Sequence, residues 1–456
     1  MPIPHPTMYR EHRARLIAEL AREGAAAVLP TATLKVRNHD STYRFRPDSD
    51  FWYLTGFAEP EAILVLLGGL PDAEDEDLRA PRSVLFLRER DPEQETWTGR
   101  RLGIEAAPEA LGVDEARDTA ELWESLPDLL AGYARVHYRT GLDERRDREM
   151  LRVVDRLRGR ARTGSPPVAE LVDPATLVHE LRLFKSPEEL ERMRRAACVT
   201  REAHLAAMEA TAPGVGEEEI DALIEYTFLR RGCTGAAYTN IVAGGANACI
   251  LHYVENDQPL ADGELLLIDA GAEHEYYAAD VTRTFPVNGT FSEEQRALYE
   301  VVLDAQLAAI AEVRPGVPFD RAHEVATERL VAGLLRLGLL EGEPQAIIAE
   351  GAHRRFYMHR TGHWLGLDVH DCGAYSDEGG ASRALAPGMV TTIEPGLYIA
   401  PDDETVEARW RGIGVRIEDD VLVTAEGAEV LTADIPKTVE EIEAACAGSH
   451  LDAVRS

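Results

Sequence analysis

With 456 residues, 45 % of them hydrophobic and 28 % charged, the chain is long enough for two or three packed domains, and disorder is excluded as its main state. Its 48 basic and 81 acidic side chains leave a formal charge of −33, which repels phosphate and anionic lipid and argues against nucleic acid or a membrane surface as partner. Five scattered cysteines (Cys198, Cys233, Cys249, Cys372, Cys446) contain no C-x-x-C pair, which disfavours a disulfide framework or thiolate zinc site and fits a reducing cytoplasm.

Residues 9–23 predict an amphipathic helix, after an N-terminus whose early prolines and alternating charges lack the apolar run of an export signal. Strands are expected at 26–29, 62–67, 83–87 and 135–138, and helices at 120–130 and 144–157, which together make an α/β domain. The acidic run Pro71–Asp77 reads as a solvated loop. Pro-rich breaks at 164–167 and 173–174 place the domain boundary near residue 175, giving an N-terminal α/β domain over 1–175 and an α+β domain over 176–456.

Ser186-Pro-Glu-Glu189 is a capped helix start, and the helix should run to about Thr211. It stops at Ala212-Pro-Gly-Val215, before a second helix over about 217–231 and then strands to Val287. The order recurs from Ser292-Glu-Glu-Gln295, with a stop at Arg314-Pro-Gly-Val317 and a new helix near Phe319. Two Pro-Gly-Val breaks in matching contexts suggest a duplicated unit and an internal pseudo-two-fold repeat.

The run Glu264–Gly271 reads as a buried strand ending in Asp269, and Ala279–Phe285 as its hairpin partner. A turn centred between His274 and Glu275 would set Asp269 opposite Asp280, with Cβ atoms roughly 5 Å apart. Two opposed anions must share a proton or be neutralised by cations, and paired divalent metals about 3.5–4 Å apart do this. A second cluster, His359-Arg-Thr-Gly-His-Trp-Leu-Gly-Leu-Asp-Val-His-Asp371, follows a helix expected at 347–356 and concentrates three histidines among glycines. Glu394 and Glu418 each end a β-type apolar stretch, and Arg416 shares a strand face with Glu418. Two Asp, two Glu and one His form a hard donor set suited to Mn²⁺, Co²⁺ or Zn²⁺.

These residues resemble the pita-bread metallopeptidases, and within them the aminopeptidase P subgroup, over nearly the whole chain. Phe51-Trp-Tyr-Leu-Thr-Gly-Phe57, Glu95-Thr-Trp-Thr-Gly-Arg-Arg-Leu102 and Ile250-Leu-His-Tyr253 also look like that subgroup's segments. The resemblance implies a pita-bread second domain and two divalent ions, most simply Mn²⁺. Asp269 would be bidentate to one ion, Asp280 and Glu418 would bridge, and His363 and Glu394 would complete the shells. It further implies that His252, His359 and His370 line the substrate site, and that the chain forms a homo-oligomer, a tetramer or dimer, in which Trp97 reaches a neighbouring subunit's site. Arg416 would clamp a metal-binding carboxylate from behind.

The expected reaction is removal of the N-terminal residue from peptides with proline second, a bond that offers no N–H to grip. A hydroxide bridging the metals would attack the carbonyl, Glu394 would shuttle the proton, and His359 or His370 would hydrogen-bond the developing oxyanion. The alternatives are a prolidase acting on X-Pro dipeptides, a creatinase-like hydrolase, disfavoured by the full ligand set, and a non-catalytic pita-bread module binding peptides or histones. The chain departs from the subgroup in its acidic insert near residue 75 and in its extension after about 435.

Overall fold

The structure, a computed structural model, describes residues 6–70, 79–160 and 166–447. The acidic insert at 71–77 and part of the expected Pro-rich break lie outside the described residues. Two compact units divide the chain, Met1–Arg182 and Leu183–Ser456. The expected boundary at 175 falls at the start of helix Ala175–Leu183.

The first unit is built on a six-stranded sheet ordered Glu115–Asp118, Arg82–Leu87, Ile63–Leu67, Ala25–Pro30, Arg135–His137, Glu170–Val172. Its central strands are apolar at almost every position because both faces are covered. Helix Glu144–Arg160 turns Met150, Val153, Val154 and Leu157, spaced as one helical face, into that core.

Asp48 caps helix Ser49–Thr55, and the next acid, Asp50, accepts from Arg182 Nη1 at 2.7 Å and lies 3.3 Å from His179 Nε2. Burial pushes the Asp50 carboxyl up, but His179 and the Arg182 guanidinium outweigh it and hold it at about 2. The folded-state value thus lies below the unfolded one, so the stabilisation is present above about pH 4 and is lost as pH falls toward 2. Asp50→Asn is expected to remove about 2 kcal/mol at neutral pH. In urea titrations its deficit against the unsubstituted protein should shrink between about pH 4 and pH 2.5; a constant deficit would show that the charge of Asp50 is not what stabilises.

The second unit contains the repeat. Helix Pro187–Ala210 opens with a capping box at Ser186 and helix Glu293–Ile310 with another at Ser292. Each is followed by a Pro-Gly-Val break and a further helix, Glu217–Arg230 and Asp320–Arg336. The breaks are hydrogen-bonded alike. Gly214 N donates to Leu260 O and Leu260 N to Val215 O; Gly316 N donates to Leu385 O and Leu385 N to Val317 O. Glu217 N to Gln258 O and Phe319 N to Arg383 O extend the match, so positions 217 and 319 are equivalent. Each half then contributes a three-stranded antiparallel sheet: Ile241–Gly244, Leu265–Asp269 and Thr282–Pro286 in the first, Val390–Ile393, Asp419–Val423 and Ala428–Val430 in the second.

Two sequence expectations are corrected. The hairpin turn is centred between Glu275 and Tyr276, whose φ angles of 47° and 68° make a left-handed two-residue turn without the Gly or Asn that announces one. Asp269 therefore pairs with Thr282, and Asp280 lies two residues before that strand position rather than opposite Asp269. The helix expected at 347–356 is shorter, Pro344–Glu350, because Gly351 at φ 73° ends it and a 3₁₀ turn over Ala352–Arg355 follows.

Candidate metal centre and active site

Asp269 ends strand Leu265–Asp269, Glu394 follows strand Val390–Ile393, and Glu418 lies between strands Gly414–Arg416 and Asp419–Val423. Strand ends place these carboxylates where the apolar sheets open to one cavity. Asp280 enters from the loop before Thr282–Pro286, and Gly271 lets that loop come close, since a Cβ there would lie 1.8 Å from Ala279 O. His363 enters from the other half; its neighbour Gly362 packs on Thr392 O, where a Cβ would sit 2.0 Å away.

Asp269, Asp280, His363, Glu394 and Glu418 line a single cavity of about 750 Å³, together with His252, His359, His370 and Arg416. Of the sequence-derived set only Trp97 belongs to the other unit, on helix Pro92–Thr98, where it is 82 % exposed. Ligand atoms of Asp280, His363 and Glu418 lie within 4.8 Å of one another. Tyr238 Oη is 2.7 Å from Asp269 Oδ1 and 2.6 Å from Asp280 Oδ1, which ties the two aspartates together despite their offset register. A hydroxyl has one proton and cannot satisfy two carboxylates at once, so the pair calls for additional positive charge.

The electrostatics agree. Burial, reinforced by repulsion from Asp280, pushes the Glu418 and Asp420 carboxyls well above the ordinary range. Burial also raises Asp269 against the pull of Arg416, and raises Glu394 to about 7 against His363 and Arg416. His363 is pushed up to about 9 because Asp280 and Glu394 overcome the opposing effect of burial. Its Nδ1 is 3.0 Å from Trp364 O, which fixes the ring's orientation and aims Nε2 at Asp280 Oδ2, 3.3 Å away. Acids in excess of Arg416 and His363, with an imidazole nitrogen aimed among them, are a donor set that divalent cations fit.

Arg416, 4 % exposed, donates from Nη2 to Asp269 Oδ2 at 2.7 Å and from Nη1 to Tyr398 Oη at 3.0 Å. Tyr398 Oη in turn lies 2.9 Å from His359 Nε2, while His359 Nδ1 is 2.7 Å from Arg360 O. Burial, then Arg416, lowers His359 to about 4, so its ring is neutral at pH 7. His370 packs edge-on against His363 with centroids 4.4 Å apart and is lowered by burial and by that neighbour.

Sequence reasoning missed Tyr238, Tyr398 and Asp420. Nothing local distinguishes Tyr238, which sits in a Gly/Ala loop. Asp420 shares the strand face of Glu418 by i, i+2 alternation, a signal that was present, and both its carboxylate oxygens accept from Asp280 N. Tyr398 follows Glu394-Pro-Gly by the same alternation and is visible only once the partner strand Gly414–Arg416 is paired to it.

Residues 191–425 match the profile of metallopeptidase family M24, and residues 9–138 that of the aminopeptidase P N-terminal domain. The chain is 45 % identical over 434 residues to an Xaa-Pro aminopeptidase of Escherichia coli, covering 95 % of this chain and 96 % of that protein. It is 43 % identical to one of Haemophilus influenzae over 95 % and 96 % of the two chains. Among solved structures, Pseudomonas aeruginosa aminopeptidase PepP superposes with a TM-score of 0.93 at 48 % identity, covering 98 % of this chain and 99 % of that one. A zinc-substituted E. coli aminopeptidase P in complex with product does so at 0.92 and 44 %, covering 98 % and 99 %.

Proposed function

The chain belongs to metallopeptidase family M24, and from that premise we propose that it is an Xaa-Pro aminopeptidase, releasing the first residue of peptides whose second residue is proline. The observation that carries the reading is the convergence of Asp280, His363 and Glu418 within 4.8 Å, in a cavity that Asp269 and Glu394 also line. These five residues would hold two divalent cations, for which we favour Mn²⁺. Cations bound there supply Lewis acidity, which activates water at neutral pH and polarises a peptide carbonyl.

The chain's own groups do the rest. Glu394 takes the proton of the attacking water and returns it to the proline nitrogen, which as a tertiary amide cannot leave unprotonated. His370 is assigned the hydrogen bond to the developing oxyanion. His359, engaged at both ring nitrogens, lines the substrate site with His252. Arg416 fixes Asp269 from behind through a charge-assisted hydrogen bond. We further assign a cytoplasmic location and a homo-oligomer, tetramer or dimer, in which exposed Trp97 serves a neighbouring subunit's site.

Prolidase is the rival reading, and the cavity's charges disfavour it. A free proline carboxylate needs an uncommitted cation. Arg416 is committed to Asp269 and Tyr398, and Arg360 to Asp320. The guanidinium of Arg383 stacks on Phe184 at 5.9 Å. In the loop 370–381 Asp371 is paired with Lys185, which leaves Asp377 and Glu378 as exposed acids. An X-Pro-Y tripeptide, measured with Mn²⁺ at matched pH, should therefore show kcat/KM at least equal to that of the X-Pro dipeptide. A clear preference for the dipeptide would overturn the aminopeptidase reading and leave the metal site standing.

A further inference from the structure

Glu217 is the first residue of helix Glu217–Arg230, fully buried, and 35 residues upstream of His252 in sequence. Its carboxylate accepts four hydrogen bonds. Oε1 takes Gly244 N at 2.7 Å and Asn247 Nδ2 at 3.1 Å; Oε2 takes Tyr253 Oη at 2.8 Å and Gln258 N at 3.0 Å. All four donors lie in the single segment 244–258, which joins strand Ile241–Gly244 to the bridge at Pro259 and carries Leu251, His252 and Val254 into the cavity wall.

The arrangement grips both ends of the segment and its middle at one point. The Glu217 amide also donates to Gln258 O, so residue 258 is held on both sides. A carboxylate at a helix start is favoured by the amide dipoles there, and the four donors satisfy its lone pairs. Burial and the carboxylate push the Tyr253 phenol up to about 12, which keeps it a donor at any working pH. Tyr253 is 5 % exposed while its neighbour His252 is exposed to the cavity, so anchoring one residue aims the next.

The repeat supplies an independent indication. Position 319 is the equivalent of 217, and Phe319 packs on Trp364 at 4.6 Å and on Tyr375 at 4.9 Å between centroids. Those residues flank the segment that carries His370 and adjoin His363. Each half thus places one residue, at the start of its second helix, against the loop that brings histidines to the cavity: a hydrogen-bonded clamp in one half and an aromatic wedge in the other.

We propose that Glu217 is a positioning residue for the reaction, acting through the 244–258 segment to hold His252 in the substrate wall. The inference rests on the reading of the cavity as a peptidase site. Glu217→Gln keeps the volume but turns an amide N–H₂ toward two of the four donors. With metal content unchanged, kcat/KM for an X-Pro-Y tripeptide should fall about ten- to a hundredfold, with most of the loss in KM. Glu219→Gln, the same charge change two residues on in the same helix start, should stay within about twofold of the unsubstituted enzyme.

The decisive measurement is the cycle with His252→Ala. If Glu217 acts through His252, the double variant should be no worse than His252→Ala alone, within about twofold; multiplied losses would overturn the proposal. Should Glu217→Gln fail to fold, Tyr253→Phe removes one donor of the same clamp, keeps the ring, and enters the same cycle. Hydrogen exchange of the 245–257 peptides, expected to quicken at least about tenfold while helix Pro187–Ala210 is unchanged, needs no turnover. An unsubstituted enzyme inactive on X-Pro-Y would sink the functional reading, whereas unchanged exchange at 245–257 would sink the clamp.

Discussion

Glu418→Ala is expected to abolish turnover, with kcat/KM down by about 10³-fold or more, because the cavity loses one of the charges that hold its cations. The carboxylate is 2 % exposed, its Oε2 accepts from Thr282 Oγ1 at 2.6 Å, and it faces Asp269, Asp280 and Glu394. Its removal has opposite consequences with and without metal. In chelator the four buried acids repel one another, so deleting one should leave the melting temperature equal or higher. With saturating Mn²⁺ the unsubstituted protein gains RT ln(1 + [L]/Kd), and the variant, left with four of the five proposed ligands, gains less. Metal content by elemental analysis and melting curves in both conditions read the two effects together. A folded Glu418→Ala protein with full activity would refute the metal-centre assignment.

Glu394→Gln should reduce kcat about 10²- to 10⁴-fold, the range for a positioned general base, while KM changes little. Glu394 Oε2 lies 3.8 Å from His359 Nδ1 and Oε1 lies 3.7 Å from His363 Nε2, so it stands between the proposed metal ligand and the substrate wall. The amide keeps an oxygen for coordination and loses the capacity to carry a proton. Metal content is the control. With stoichiometric metal, a raised KM at unchanged kcat would make Glu394 a positioning group and move the base elsewhere.

The secondary structure around the centre was legible because it depends on neighbours in sequence. The capping boxes at Ser186 and Ser292 and the paired Pro-Gly-Val stops sit where they were read. Their repeated order reflects a real equivalence, seen in the matched hydrogen bonds of Leu260 and Leu385. The acids at strand ends were readable because a buried β-strand tolerates a carboxylate only where the sheet opens. What misled was the turn at Glu275-Tyr276: without Gly or Asn to mark positive φ, local composition placed the turn one residue early and the partner two residues off.

By itself the sequence determined the residue types of the centre, the helix starts, the duplicated order of elements, and the family to which the motifs belong. All of these follow from short-range chemistry: caps, breaks, apolar periodicity and acids placed at strand ends. Only the tertiary structure decided that Asp269 and Asp280 meet through Tyr238 rather than across a ladder, and that Arg416 reaches Asp269 and Tyr398 together. Those contacts join residues 31 to 147 apart in the chain except for the Arg416–Tyr398 pair, at 18. Which side chains meet over such separations depends on how the two sheets pack and on burial that strips water from charged groups, and neither quantity is a property of any local stretch of residues.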